Sequence, residues 1–330
     1  MVMKYKLIIC LLVAGLFSAS CEKENGGSTG VKYISFSASV NAKVDYDVKA
    51  TKADEGKFGV GEHKMGLWIC NADLSPILNE FKNCRIEYTR RDNNSEVWKF
   101  YGGDQIWEDA IPVDDERAIK IYSYYPYAEN VTDITAVPFT SGVHNYFYSE
   151  PVELDDELAT SDEVEVALNY KPVMTCIEVA VKSNMENTIA VNEVTLTDVS
   201  GANIITKGTF NATNGEVTAS DEEKVSNMSF HSDEGLLLTT GDDTPKISFI
   251  IPKYSNYSGN FKLSFKFNGV EGLSGYTIPE AVASETDGDL KEGKKYIITL
   301  QLNEEMKLGT VGFKTVADWN NDIHETDIQM

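Results

Sequence analysis

The sequence predicts an all-β fold built from β-sandwiches, and three observations support this class. Apolar and polar residues alternate with a period of two in one stretch after another, glycine-containing turn signals separate the stretches, and no sustained helical period follows the first 20 residues. Alternation of this kind suits sheets that pack one face on a core and leave the other face in water. Many short strands with regular turns between them are typical of β-sandwiches.

The first predicted strand is Tyr33–Val40, in which apolar residues on one face alternate with serines on the other. Its apolar face comprises Ile34, Phe36, Ala38 and Val40. Later stripes with the same period comprise Ile119 and Ile121; Val164, Val166 and Leu168; Ile177, Val179 and Val181; Phe261, Leu263, Phe265 and Phe267; and Tyr296, Ile298, Leu300 and Leu302. The turn signals are Asn-Gly at 214–215 and 268–269, Gly-Gly at 102–103 and Asp-Gly at 287–288.

The length of the chain predicts two domains. It has 330 residues, and domains typically contain about 150 residues. A predicted strand stops near Ser183, and the polar sequence SNMENT continues to Thr188. We therefore expect an N-terminal β-sandwich over residues 33–184 and a C-terminal β-sandwich over residues 185–330.

The N-terminus predicts export and a lipid anchor. Lys4 and Lys6 precede an apolar run, Leu7–Phe17, that is too short to span a hydrocarbon core of ~30 Å, so residues 1–20 are interpreted as a signal peptide. Small residues followed by Cys21 resemble the bacterial lipobox, although Ser18 stands where that motif usually has leucine. The resemblance implies cleavage before Cys21, acyl chains such as palmitate on its thiol and new amino group, and attachment to the outer membrane.

The alternative is an ordinary signal peptide followed by a chance cysteine. In either case the polar, glycine-bearing residues 21–32 have the composition of a flexible tether.

Charge argues against nucleic acid as a partner. The chain has 29 Lys and Arg residues against 52 Asp and Glu residues, which gives a net charge of -23. A phosphate-binding surface needs a cationic face. The only arginines are Arg85, Arg90, Arg91 and Arg117. Anionic membrane surfaces are disfavoured for the same reason.

The sequence contains no motif that predicts catalysis, a metal site or a cofactor. None of its histidines (His63, His144, His231 and His324) has the spacing of a metal-ligand motif, and neither a Gly-rich phosphate loop nor a Gly-x-Ser-x-Gly element occurs. We therefore expect a protein that is not an enzyme. After processing, the remaining cysteines would be Cys70, Cys84 and Cys176. Two interpretations stay open: a bond between Cys70 and Cys84, or three small buried apolar residues.

Five short motifs follow one another along the chain. They are Phe58-Gly-Val-Gly61 with Met65-Gly66-Leu67-Trp68; Trp107 with Ile119-Lys-Ile-Tyr-Ser-Tyr-Tyr-Pro-Tyr127; Asn169-Tyr-Lys-Pro-Val-Met-Thr-Cys-Ile177; Leu290-Lys-Glu-Gly-Lys-Lys-Tyr296; and Val316-Ala-Asp-Trp319. Their order and spacing, from about residue 33 to residue 320, resemble those of the fimbrillin-like lipoproteins of Gram-negative anaerobes. A histidine of that family is absent, with Lys171 nearby, so no role is carried over to that position.

The resemblance implies a subunit of a type V pilus or an accessory relative. Such proteins have two transthyretin-like β-sandwich domains and travel as lipoproteins to the cell surface. A trypsin-like protease then removes the first strand, and the vacated groove accepts a strand from the next subunit. The implied partners are other pilus subunits, in a homopolymer or a heteropolymer, and a host or bacterial surface ligand.

In this chain the strand to be removed corresponds to Tyr33–Val40, followed by a polar loop over residues 41–56. The candidate cleavage sites in that loop are Lys43, Lys49 and Lys52, and no arginine precedes Arg85. Three alternatives stay open: cleavage after lysine, an uncleaved anchor or accessory subunit, and a surface lipoprotein that does not polymerise.

The candidate donor strand is Thr310–Trp319, in which Val311 and Phe313 alternate with Gly312 and Lys314. The competing hypothesis is a glycan-binding surface lipoprotein that does not polymerise. It would use exposed aromatic residues of the segments Tyr122–Tyr127 or Tyr146–Tyr148.

Overall fold

The structure is a computed structural model that describes residues 33–40, 63–77, 81–90, 96–101, 119–142, 144–154, 163–185, 189–201, 203–241, 244–253, 261–268, 270–277, 290–305 and 307–317. Strands dominate these ranges, and the helical residues within them are the 3-10 turn Asp221–Glu223 and Phe81. Within these ranges, no helix combines the length and the apolarity needed to cross a membrane. The predicted all-β class is confirmed.

The strands of the first half are β1 Tyr33–Val40, β2 Lys64–Cys70, β3 Cys84–Arg90, β4 Glu96–Phe100, β5 Ile119–Tyr125, β6 Val137–Thr140, β7 Phe147–Ser149, β8 Val152–Leu154, β9 Glu163–Pro172 and β10 Met174–Ser183. Those of the second half are β11 Ala190–Asp198, β12 Ile204–Ile205, β13 Lys207–Phe210, β14 Val217–Thr218, β15 Lys224–Val225, β16 Asn227–Leu237, β17 Lys246–Pro252, β18 Phe261–Phe267, β19 Val270–Thr277, β20 Lys294–Leu302 and β21 Leu308–Ala317.

The first nine strands apart from β6 form one sheet in the order β2-β3-β4-β1-β9-β7-β5-β8, and β5 also pairs with β2. Most neighbours are antiparallel, but β1 runs parallel to β9 along its whole length, from Tyr33 opposite Glu163 to Val40 opposite Tyr170. The strands enclose an apolar cluster, which we call the first core. It contains Phe36, Met65, Leu67, Ile69, Phe81, Ile86, Trp98, Phe100, Ile119, Ile121, Phe147, Val166, Leu168 and Tyr170.

β10 and strands of the second half together form a two-layer sandwich. One sheet has the order β17-β10-β20-β21 and the other has the order β16-β11-β18-β19. Both sheets contribute alternate residues to a single buried cluster, which we call the second core. The apolar stripes predicted on β18 and β20 all lie in this core, while Lys262 and Lys266 on β18 are exposed, so the predicted facing of β18 is confirmed.

A third core lies beside the strands β2 and β5 and includes residues from both halves of the chain. It contains Trp68, Cys70, Tyr122, Tyr124, Val131, Ile134, Val137, Phe139, Tyr146, Val173, Met174, Phe210 and Ala212. A short sheet in the order β14-β13-β6 joins the halves as well, since β6 pairs with β13. The turn predicted at Asn-Gly 214–215 lies between β13 and β14, where Gly215 adopts a φ of +76° that favours glycine.

The expectation of one solvated face is wrong for β5 and β10, and β2, for which no facing was predicted, is also buried on both faces. On β2, Leu67 lies in the first core and its neighbour Trp68 lies in the third core, because this strand separates the two clusters. β10 is buried over Met174–Val181, including Glu178. The Glu178 carboxylate is tolerated there because Lys295 Nζ lies 3.2 Å from it and Lys246 Nζ lies 3.6 Å from it.

The pairing of β10 bears on the predicted boundary between residues 184 and 185. In the part of the chain described, β10 pairs with β17 and with β20, both of which follow that boundary. The sheet therefore crosses the boundary, and Val173, between β9 and β10, is where the chain passes from the first sheet to the second sandwich. The division into two domains stays a prediction.

Matched substitutions on β18 test the facing of the second core. Phe265→Ala should lower the free energy of unfolding by roughly 2–5 kcal/mol, because it removes buried apolar contacts and leaves a cavity. Lys266→Ala should change it by less than about 0.5 kcal/mol, because this side chain is 70% exposed and pairs with Glu193 at the surface. Urea denaturation of the two variants measures the difference, and equal midpoints would contradict the assigned facing.

Candidate strand-exchange groove

The most informative site of the N-terminal half is the place that β1 fills between β4 and β9. We call this place the β1 groove. Phe36 is 4% exposed and anchors the strand in the first core, where its ring lies 5.4 Å from that of Phe100 in an edge-to-face arrangement. The prediction that Phe36 faces inward is thereby confirmed.

Aromatic and branched side chains line the groove on both sides. On β4, Trp98 lies opposite Phe36 in the strand register and is 3% exposed, and its ring centroid lies 5.0 Å from that of Tyr88. On β9, Val166 and Leu168 are each 1% exposed and belong to the same core. The groove therefore fits a strand that presents a bulky apolar side chain at the position of Phe36.

The pairing pattern makes β1 a bridge. It pairs with β4 at Phe36 and with β9 at every residue from Tyr33 to Val40. In the described residues β4 and β9 do not pair with each other. Removal of β1 would therefore expose backbone donors and acceptors on both walls together with the apolar floor of the groove.

A buried hydrogen-bond network connects four other strands of the sheet without involving β1. Ser123 Oγ on β5 donates to the carbonyl of Gly66 on β2 at 2.9 Å, and the Tyr170 hydroxyl on β9 lies 2.5 Å from Ser123 Oγ. The backbone N–H of Ser123 donates to Ser149 Oγ on β7 at 2.9 Å. Burial raises the pKa of Tyr170, which keeps its hydroxyl neutral and able to donate. This network connects β2, β5, β7 and β9, and it therefore favours a β9 wall that stays in place when β1 is absent.

Position 66 in this network requires a glycine for a steric reason. It lies opposite Tyr124 in the pairing of β2 with β5, and a Cβ atom at position 66 would overlap the Tyr124 ring. The Tyr124 hydroxyl donates to Asn83 Oδ1 at 2.6 Å, which fixes the ring over the glycine. Part of the Met65-Gly66-Leu67-Trp68 motif is thus explained by packing.

The candidate donor strand has a defined backbone partner. β21 pairs antiparallel with β20, from Lys294 opposite Ala317 to Leu302 opposite Leu308. Phe313 lies opposite Ile298, but the register shifts between Thr299 and Leu300, so Val311 falls at the irregularity. Among the described strands β21 is at the edge of its sheet.

The remaining predicted site residues lie outside the described residues. They are the lipidation residue Cys21 and the cleavage candidates Lys43, Lys49 and Lys52. They stay predictions.

The aromatic residues assigned to a glycan site are mostly buried. Tyr122, Tyr124, Tyr146 and Phe147 are each at most 8% exposed and pack in the cores. Tyr125, Tyr127 and Tyr148 are partly exposed. The expectation that these two segments offer an aromatic surface is therefore wrong for most of their rings, because β5 and β7 lie between cores.

Cys70 and Cys176 are small buried residues, as one interpretation expected, whereas Cys84 is only partly buried. Cys70 is a buried free thiol, so it forms no bond with Cys84 in this structure. Burial raises the pKa of Cys70 to about 11, with a further contribution from Asp73, and raises that of Cys176 to about 12. Both groups stay protonated at neutral pH and are therefore poor nucleophiles and metal ligands. Among the described residues, no cluster of three His, Cys, Asp or Glu side chains is arranged to hold a metal ion.

Comparison with known proteins identifies the fold and the family of this chain. The chain resembles the solved structure of a candidate cell adhesion protein from Bacteroides uniformis, with a TM-score of 0.58 and 16% identity over 89% of this chain and 100% of that one. A candidate cell adhesion protein from Bacteroides ovatus gives a TM-score of 0.54 and 14% identity over 86% of this chain and 97% of that one. A search of curated proteins finds no match. Since the fimbrillin-like family model matches residues 51–319, the chain belongs to the fimbrillin-like family.

Proposed function

We propose that this protein is a structural or accessory subunit of a cell-surface fimbrium and assembles by β-strand donation after removal of β1. The observation that carries the proposal is the place of β1 between β4 and β9, with Phe36 in the first core. Membership of the fimbrillin-like family supports the fimbrial role.

Cleavage in the segment that follows β1 supplies the switch. While the chain is intact, β1 is held at high effective concentration beside its groove. After a cut, only sheet pairing and the burial of its apolar face hold the strand in place. A strand from another subunit then competes for the same pairing, as in β-augmentation, where backbone bonds give affinity and alternate side chains give specificity.

The groove dictates the direction and register of the incoming strand. A donor that reproduces the pairing of β1 runs parallel to β9. If Phe313 of a second copy takes the place of Phe36, the alternation of β21 matches that of β1. The matched positions are Val311 with Ile34, Phe313 with Phe36, Thr315 with Ala38, and Ala317 with Val40. We therefore propose Phe313 as the anchor and Val311 as its neighbour in the groove.

The proposal includes a lipoprotein precursor. A signal peptide over residues 1–20, a lipid on Cys21 and a tether over residues 21–32 would carry the subunit to the outer membrane and its surface. Cleavage after Lys43, Lys49 or Lys52 would then release the subunit from the lipid together with β1, because both lie before the cut.

The first prediction concerns the anchor. Cys21→Ala should leave the precursor unlipidated, because the thiol is the proposed acylation site, whereas Cys10→Ala, within the predicted signal peptide, should keep the lipid. Metabolic labelling with a palmitate analogue and detergent phase partitioning measure the outcome. Equal labelling of the Cys21→Ala variant and the parent would refute the assignment.

The second prediction concerns cleavage. Limited trypsin digestion should cut first between residues 43 and 52, because the loop is polar and carries the lysines that trypsin requires. The cut protein should then form oligomers that resist mild detergent. A variant with Lys43, Lys49 and Lys52 changed to Gln should resist the first cut and stay monomeric. A cut protein that stays monomeric at high concentration with residues 33–40 bound would exclude a self-polymerising subunit.

The third prediction tests the register. Ala167 on β9 is exposed and lies opposite Ser37, whose matched position in the donor is Lys314. A subunit with Ala167→Cys, cut and mixed with a subunit carrying Lys314→Cys, should give an intermolecular disulfide under mild oxidation. The control acceptor Glu165→Cys, two residues away on the same strand, should cross-link several-fold less. Preferential cross-linking to the control would place the donor in another register.

A further inference from the structure

Tyr101 stands out among the described aromatic residues because its side chain is mostly in solvent. It follows β4 directly, and its backbone N–H donates to the carbonyl of Arg85 on β3 at 2.8 Å, which continues the β3–β4 ladder by one residue. Tyr101 is 66% exposed, whereas the preceding residue, Phe100, is 6% exposed. A large ring in a fixed backbone position is therefore presented to water, although its burial would be favourable.

Arg85 holds that ring from one side. The guanidinium carbon lies 4.0 Å from the centroid of the Tyr101 ring, within the range of a cation–π contact. Arg85 also forms an ion pair with Glu87, and both side chains are 27% exposed. Since Arg85 covers one face of the ring and the ring is mostly exposed, the opposite face must be open to solvent.

The position of Arg85 is not optimised for its own hydrogen bonding. Its Nε atom is buried and has no hydrogen-bond partner within the described part of the chain. An unsatisfied buried donor is unfavourable for folding, so the position of Arg85 calls for a further reason. The contact of its guanidinium with the Tyr101 ring is such a reason.

The polar groups that the structure places beside the ring are those of the ion pair between Arg85 and Glu87. The site thus has an open aromatic face with a guanidinium and a carboxylate next to it.

We propose that Tyr101, supported by Arg85, is a binding platform for a neutral pyranose sugar. The C–H groups on one face of a pyranose carry partial positive charge and match the negative face of the aromatic ring. Glu87 would accept, and Arg85 would donate, hydrogen bonds at the hydroxyl groups on the rim. An acidic sugar fits less well, because the Glu87 carboxylate lies beside the arginine that supports the platform and the chain carries a net charge of -23.

Saturation-transfer NMR on the uncut monomer tests this proposal independently of strand exchange. The probes are the methyl pyranosides of glucose, galactose and mannose, with methyl glucuronide as the acidic comparison. We expect transfer to at least one neutral glycoside, strongest at protons on one face of its ring, and weaker transfer to the glucuronide. Tyr101→Ala should weaken the binding by about tenfold or more, since the stacking surface is lost.

Leu237→Ala is the matched control, because Leu237 is also a large exposed apolar residue, with 59% exposure, on a strand of the second sandwich. It should leave the transfer unchanged, and circular dichroism checks the fold of both variants. The proposal is overturned if no neutral glycoside receives saturation, if Tyr101→Ala binds as well as the parent, or if the glucuronide binds most tightly.

Discussion

The parallel pairing of β1 with β9 is the constraint on which the first sheet depends. β1 joins β4 to β9, and it carries Phe36 into a core whose other members come from strands on both sides of it. The contacts are long-range in sequence, since Tyr33 lies opposite Glu163. One short strand thus completes a sheet in which β4 and β9, as described, do not pair with each other.

The strands that stay are stabilised by different contacts. Ser123, Tyr170 and Ser149 connect β5, β9 and β7 through buried hydrogen bonds, and Gly66 lets the Tyr124 ring pack closely against β2. β2 and β5 are also buried on both faces, because they separate the first core from the third. Loss of β1 therefore removes its contacts with both β4 and β9, while β2, β5, β7 and β9 stay connected to one another, and this frame favours an open groove over collapse.

The sequence predicts the buried face well for strands that have one solvent-exposed face. On β18 the period of two is clear because Lys262 and Lys266 are exposed while Phe265 faces the second core, and on β20 Leu300 faces the same core between partly buried neighbours. The same logic fails for β5 and β10, where the stripes of Ile119 and Ile121 and of Ile177, Val179 and Val181 mark one buried face but most residues of the other face are buried as well. A boundary placed at the polar stretch after Ser183 likewise follows local composition, whereas the sheet that contains β10 is formed by pairings that are distant in sequence.

The candidate sites divide in the same way. Phe36 was predictable because an alternating strand must bury its bulky residues, but the strands beside it, β4 and β9, were not, since pairing partners leave no local signal. The proposed Tyr101 platform could not be predicted from the sequence. Arg85 lies on β3 whereas Tyr101 directly follows the neighbouring strand β4, and neither residue belongs to a motif. The composition of the aromatic segments around Tyr122 and Tyr146 indicated a glycan-binding surface. Composition, however, does not distinguish a ring that packs between two cores from one that faces water.

In the proposed assembly, the donor segment β21 would change the number of strands that it pairs with. In the monomer β21 has one described neighbour, β20, and their ladder is interrupted near Val311. In the β1 groove the same segment would lie between β4 and β9 and would gain backbone partners on two sides. It would also bury Phe313 in a pocket that already accepts a phenylalanine, so the aromatic contacts with Phe100 would be retained. The exchange would thus move β21 from an edge position to an interior one that accepts the same type of side chain. Since the cleaved β1 loses the same partners, it is the removal of its covalent link, and its dilution after release, that would favour the polymer.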